Sequence, residues 1–111
     1  MNRMGKKAFV VELSDKAEYQ RLIAGSPDTY GLKSGRVYLE AGKDCGEHGT
    51  EEKEEMLIFL AGHGQAMVGG EVFEVGDGKV CYIPPRTKHN IINTGDEPLI
   101  YIFCVVPLSG C

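Results

Sequence analysis

The sequence has no tryptophan and no long hydrophobic run. Its longest apolar stretch, Leu99 to Val106, falls far short of the ~20 residues that a membrane-spanning helix needs. A membrane partner is therefore not expected. Basic clusters are equally scarce. Nothing exceeds the Lys6-Lys7 pair, and the formal net charge is −4, so phosphate-backbone binding lacks its electrostatic footprint and no nucleic-acid partner is expected. The basic start, Met1 to Lys7, is followed only by Ala8-Phe9-Val10-Val11 before Glu12. That is too short for an export signal, and the expected location is the cytoplasm. The cysteines are Cys45, Cys81, Cys104 and Cys111. No two form a CxxC pair, so free thiols in a reducing compartment are expected. Cys81 and Cys104 lie in apolar runs and read as small core residues. Cys111 reads as exposed, and Cys45, three residues before His48, as a strand or turn residue.

What is present is glycine, 15 in 111 residues, together with short apolar runs. A chain of this length predicts one domain, and the glycines predict many tight turns between short strands. Residues 8–13 read as a first strand. Ser14-Asp15 read as a helix start, and Tyr19, Leu22 and Ile23 supply one apolar helix face. This N-terminal unit, residues 1–34, is expected to pack on the outside of a barrel formed by residues 35–111. In the barrel, strands are predicted at 36–41, 55–61, 65–68, 71–75, 79–83, 89–93 and 99–106. Gly62-His63-Gly64 and Gly76-Asp77-Gly78 read as turns, and Gly69-Gly70 is a two-residue hairpin signal. Pro84 and Pro107 stop the strands before them. Close strands separated by turns give a β-sandwich or barrel.

Three residues carry the chemistry. His48 follows a glycine-rich approach, Glu55 opens a strand after an acidic turn, and His89 opens a strand after Pro84-Pro85. Strand starts adjoin in a hairpin barrel, so the three can converge. Two imidazoles and a carboxylate suit one divalent metal ion (Fe, Mn, Zn or Ni) and leave open positions for substrate or oxygen. Glu55 precedes the hydrophobic face-mates Leu57 and Phe59, and a carboxylate entering a core needs a partner. Glu54 is the alternative ligand if the turn is one residue tighter. His63, between two glycines, reads as exposed. Arg86 and Lys88 flank His89, either to attract an anionic group or as a solvated loop.

The spacing resembles the cupin family. Its first motif, G-x5-H-x-H-x3,4-E-x6-G, is met by Gly42, His48, Glu55 and Gly62. Its second, G-x5-P-x-G-x2-H-x3-N, is met by Gly78, Pro84, His89 and Asn93. The resemblance implies a double-stranded β-helix (jelly-roll) barrel, here with a short N-terminal helix. There are two departures. Arg86 stands where the family has glycine, and Thr50 stands where it has its second histidine. The usual shell of three histidines and a glutamate is thus reduced to His48, Glu55 and His89. Residues two apart on a strand share a face, so Thr50 is expected to point where the missing ligand would be. Its hydroxyl could then position a water or a substrate oxygen, which is a catalytic role. Asn93 reads as holding a strand end or turn.

Phe59, Met67, Tyr82, Ile91 and Phe103 are the candidate pocket walls, giving an apolar cavity with few polar groups. The resemblance implies a metalloenzyme of dioxygenase, isomerase or decarboxylase type acting on a small organic molecule. The alternative is a non-catalytic module that binds a sugar or other small ligand. A homodimer is expected, through outer strands and the apolar final strand.

Overall fold

The structure is a computed structural model and describes residues 5–108. Among the described residues, nine strands form two antiparallel sheets. They are β1 (Gln20–Ala24), β2 (Lys33–Leu39), β3 (His48–Gly49), β4 (Lys53–Ala61), β5 (His63–Val68), β6 (Glu71–Gly76), β7 (Val80–Ile83), β8 (Lys88–Ile92) and β9 (Leu99–Pro107). One sheet has the order β1-β2-β9-β4-β7 and the other β3-β8-β5-β6. The chain crosses between them repeatedly: β9 returns to lie between β2 and β4, and β8 between β3 and β5. This is the jelly-roll arrangement.

Period-two alternation sets the core. On β4, Leu57 and Phe59 are buried while Met56 and Leu60 are exposed. Leu39, Leu57, Phe59, Ala66, Val68, Val75, Ile83, Ile91, Leu99 and Tyr101 meet between the sheets. The β5–β6 hairpin closes on Gly69-Gly70 with φ of +56° and +88°, the doubly left-handed turn whose twist matches the flanking strands. Gly62 (φ +89°) lets β4 and β5 join with almost no loop; a Cβ there would strike the Pro98 carbonyl oxygen. His63 accordingly belongs to β5 and is exposed, where it pairs with Glu74 at 3.1 Å.

The N-terminal expectations need correction. Residues 8–13 form no strand; they are exposed coil, with Val10 at 93%. No helix forms between Ser14 and Ala24. The Ser14 hydroxyl does accept from a nearby N–H, that of Lys16 at 3.0 Å, but it closes a local turn instead of starting a helix. Leu22 and Ile23 fall within β1, which pairs with β2 through a bulge between Arg21 and Ile23. Sheet pairing overrides the weak helical spacing. The segment is further held by Arg36, 4% exposed, which donates to the carbonyls of Lys16 and Glu18. Nothing in the sequence pattern marked Arg36 for burial. Cys111 lies outside the described residues. Cys45, Cys81 and Cys104 are free. No helix among the described residues is long and apolar enough to cross a membrane.

Asn93 ends β8 as a structural clamp. It is 1% exposed. Its amide donates to the carbonyls of Leu39 (3.0 Å) and Glu97 (2.8 Å), and its Oδ1 accepts from the Gly95 N–H at 2.9 Å. Asn93→Ala removes a buried bond to the Leu39 carbonyl and two part-buried bonds that close the turn. The expected loss is about 2–4 kcal/mol of unfolding free energy, measurable by urea denaturation.

Candidate metal centre

The site is assembled from both sheets. In one, β3 pairs with β8 so that His48 lies directly opposite His89. Their rings meet edge to face with centroids 4.2 Å apart. In the other, Glu55 sits on β4 between β7 and β9, opposite Ile83 and Val105. Alternation turns it inward with Leu57 and Phe59. The ligand atoms of His48, Glu55 and His89 all lie within 4.8 Å of one another. His89 Nε2 is 3.4 Å from Glu55 Oε1, and two ligands held tetrahedrally at ~2.1 Å from one ion are themselves about 3.4 Å apart.

The backbone orients both imidazoles. His48 Nδ1 lies 2.9 Å from the Gly46 carbonyl and His89 Nδ1 lies 3.2 Å from that of Thr87. A carbonyl only accepts, so each Nδ1 carries a proton, and each Nε2 is the nitrogen left to bind a proton or a cation. That is how metal-binding histidines are commonly fixed. His89 Nε2 is buried and has no hydrogen-bond partner among the described residues. An orphan of that kind costs free energy unless something meets it. Burial lowers the His89 pKa, but the Glu55 carboxylate and the Thr87 carbonyl outweigh it, so the net shift is upward. The site therefore favours a positive charge beside Glu55, whether a proton or a cation supplies it.

These residues line a cavity of about 270 Å³. Of the expected walls, Ile91 and Phe103 line it. Phe59 is buried behind it, its ring centroid 5.1 Å from that of Tyr101. Met67 and Tyr82 are turned outward, at 41% and 58% exposure, because their strand neighbours Ala66, Val68 and Ile83 take the inner positions. Val37, Cys45, Lys53, Leu57, Tyr101 and Val105 also line the cavity. Counting by twos from Glu55 would have found Lys53 and Leu57. Counting by twos from Phe103 would have found Tyr101 and Val105, and only Val37 and Cys45 depend on strand pairing and crossovers. Tyr101 is buried, which raises its hydroxyl pKa, and Cys45 beside it raises it further.

The alternatives left open by the sequence resolve as follows. Glu54 faces out and accepts from the Tyr82 hydroxyl at 2.8 Å, so it stands apart from the cluster. Arg86 pairs with Glu52 at 2.7 Å on the surface. Its φ is +52°, the left-handed conformation for which the family's glycine is suited. Lys88 is exposed and does not line the cavity. Cys45 reaches the cavity but stays outside the ligand cluster; its Sγ accepts from the Ile91 N–H at 3.3 Å.

Thr50 also lines the cavity, but its hydroxyl is engaged with the backbone. It donates to Pro84 O at 2.7 Å and accepts from the Thr87 N–H at 3.0 Å. Its proton is thus spent on a turn, which removes the basis for a donor role toward substrate. Thr50→Val should cost about 1–3 kcal/mol in stability by orphaning these groups. Metal content per chain should stay as in the unmodified protein, as read by urea denaturation beside elemental analysis.

A two-sheet antiparallel barrel whose cavity is lined by a His–Glu–His cluster, with His48 exposed and His89 buried, defines a class of small β-barrels able to hold a metal. The family profile for the cupin domain matches residues 35–106, and the chain belongs to the cupin family. A protein of Methanocaldococcus jannaschii is 40% identical over 60 residues, 54% of this chain and 48% of that one. The glucose-6-phosphate isomerase of Pyrococcus horikoshii is 35% identical over 60 residues, 50% of this chain and 32% of the enzyme. The matched stretch thus spans less than half the length of these relatives. Among solved structures, a Bacillus halodurans protein superposes with a TM-score of 0.79 at 24% identity, covering 96% of this chain and 86% of its own. A predicted oxalate decarboxylase from Thermotoga maritima superposes with a TM-score of 0.69 at 21% identity, covering 89% and 100%. At those identities the likeness is one of fold.

Proposed function

We propose that this cupin is a metalloprotein acting on a small organic molecule, with one divalent ion (Fe, Mn, Zn or Ni) held by His48, Glu55 and His89. The observation that carries this reading is the buried Nε2 of His89, which no geometric hydrogen bond satisfies among the described residues and which lies 3.4 Å from Glu55 Oε1 and faces His48. A metal in such a site supplies Lewis acidity to an oxygen of the bound molecule. Three protein ligands leave positions open for that molecule. The remaining lining is mostly apolar, which excludes water and binds the body of the ligand. The isomerase and decarboxylase named among the relatives fit an enzyme of this kind. The purified protein should carry about one equivalent of metal per chain, the expectation for a single closed ligand set. His48→Ala or His89→Ala should abolish it. Protein that is metal-free from metal-replete cells and takes up none on titration would sink the proposal.

A non-catalytic binding module is the second reading. The engagement of Thr50 with the backbone favours it, because the position of the missing histidine then offers neither ligand nor proton donor. Turnover of diols, thiols or keto acids by the metal-loaded protein separates the two readings.

We further propose a homodimer, through a face and not an edge. β9 lies inside its sheet between β2 and β4, so it has no free edge to offer. The outer face of that sheet does carry an apolar patch: Met56, Leu60, Val80 and Tyr82 are exposed, and Ile58, Ile102 and Cys104 are half-buried between them. Contiguous apolar surface of this kind is uncommon on a monomer. Sedimentation at micromolar concentration should give a dimer, and Val80→Glu a monomer. A monomeric unmodified protein would overturn this.

A further inference from the structure

Lys53 is the charged residue of the cavity that the metal centre leaves without a task. It is half-buried and lines the same cavity as Glu55. It stands two residues before Glu55 on β4, so it shares the inner face and lies about 6.6 Å away along the strand. Its immediate sequence neighbours are rich in carboxylates, yet no ion pair to Lys53 forms among the described residues. Glu52 holds Arg86 at 2.7 Å, Glu54 accepts from Tyr82 at 2.8 Å, and Glu55 faces His89 at 3.4 Å. A cationic side chain among the lining of a mostly apolar cavity is a ready partner for an anion bound inside it.

The walls describe the rest of the ligand. Val37, Leu57, Phe103 and Val105 offer no hydrogen bonds from their side chains, and Thr50 is already engaged. A sugar carries hydroxyls all round its ring, and those against these four walls would be buried without partners. The sugar phosphate in the name of two relatives is therefore a poor match for this chain. The volume of about 270 Å³ equals roughly nine waters at their liquid volume, enough for one ring or a short branched chain.

We infer that the cavity takes a small organic anion with an apolar body: an oxygen-donor end at the His48–Glu55–His89 cluster and a carboxylate against Lys53. The first end rests on the metal proposal above; the second does not. Lys53 is the one fixed cation among the described lining of the cavity, so it is where the anionic end would be met.

The test is calorimetry on the zinc-loaded full chain without oxygen, using two probes. One is 3,4-dihydroxyphenylacetate. The other is 4-methylcatechol, which has the same diol and ring but no carboxylate. The acid should bind about tenfold tighter or better, the scale of a charge-assisted hydrogen bond. Lys53→Met should erase that preference with zinc content unchanged, and Lys53→Arg should restore most of it. Equal binding of the two probes, or an undiminished preference in Lys53→Met, would mean a solvated lysine only and would overturn the inference. Tighter binding of glucose 6-phosphate than of the acid would overturn the ligand class. A chain that takes up no zinc defeats the metal proposal instead. Lys53 is then judged on the metal-free protein with phenylacetate against phenylacetamide: a preference for the anion that Lys53→Met removes supports the inference, and no preference overturns it.

Discussion

The site depends on the register of one very short strand. β3 is two residues long, and a slip of one residue would turn the His48 ring away from His89 and out of the barrel. Two residues of ladder cannot hold a register alone. The surrounding chain holds it: Gly42 donates to Asn93, Cys45 to Ile91, Thr50 to Thr87, and Arg86 to Glu51. The whole stretch from Gly42 to Glu51 thus runs antiparallel to the stretch from Arg86 to Asn93. The hydroxyl of Thr50 and the amide of Asn93 fasten its two ends. The residues flanking the centre are therefore its frame, and their polar groups are used in backbone contacts.

That pairing contains one irregularity, and it shapes the cavity. Cys45 and His48 are three apart, so regular alternation would put them on opposite faces. Both line the cavity. The pairing shifts by one residue between Cys45–Ile91 and His48–His89, where Gly46 adopts φ +89°. One extra residue re-aims everything after it, as bulges do beside functional sites. The shift explains why Cys45 reaches the pocket wall.

Much of this was legible in the sequence because it depended on local spacing. Glycine pairs, prolines and alternating apolar residues located most of the barrel strands. The motif distances singled out His48, Glu55 and His89. What was not legible depended on long-range pairing. Leu22 and Ile23 fit a helix by spacing until β2 claims them for a sheet. Met67 and Tyr82 look like wall residues by size, and only the parity of their strands turns them outward. Thr50 looked free to meet a substrate because its partners, Pro84 and Thr87, are more than thirty residues away. Lys53 looked like one charge in a charged turn, although simple counting from Glu55 places it inside.

The cluster also joins parts that are otherwise joined mainly by packing. His48 and His89 belong to one sheet and Glu55 to the other, so an ion held by all three would act as a rivet through the barrel. The folded state alone brings these three side chains together, and binding that favours only the folded state adds directly to its stability. For a cupin that fills this site, the supply of metal in the cell would then set more than its activity. It would also set how long each copy survives against the proteases that patrol for opened chains.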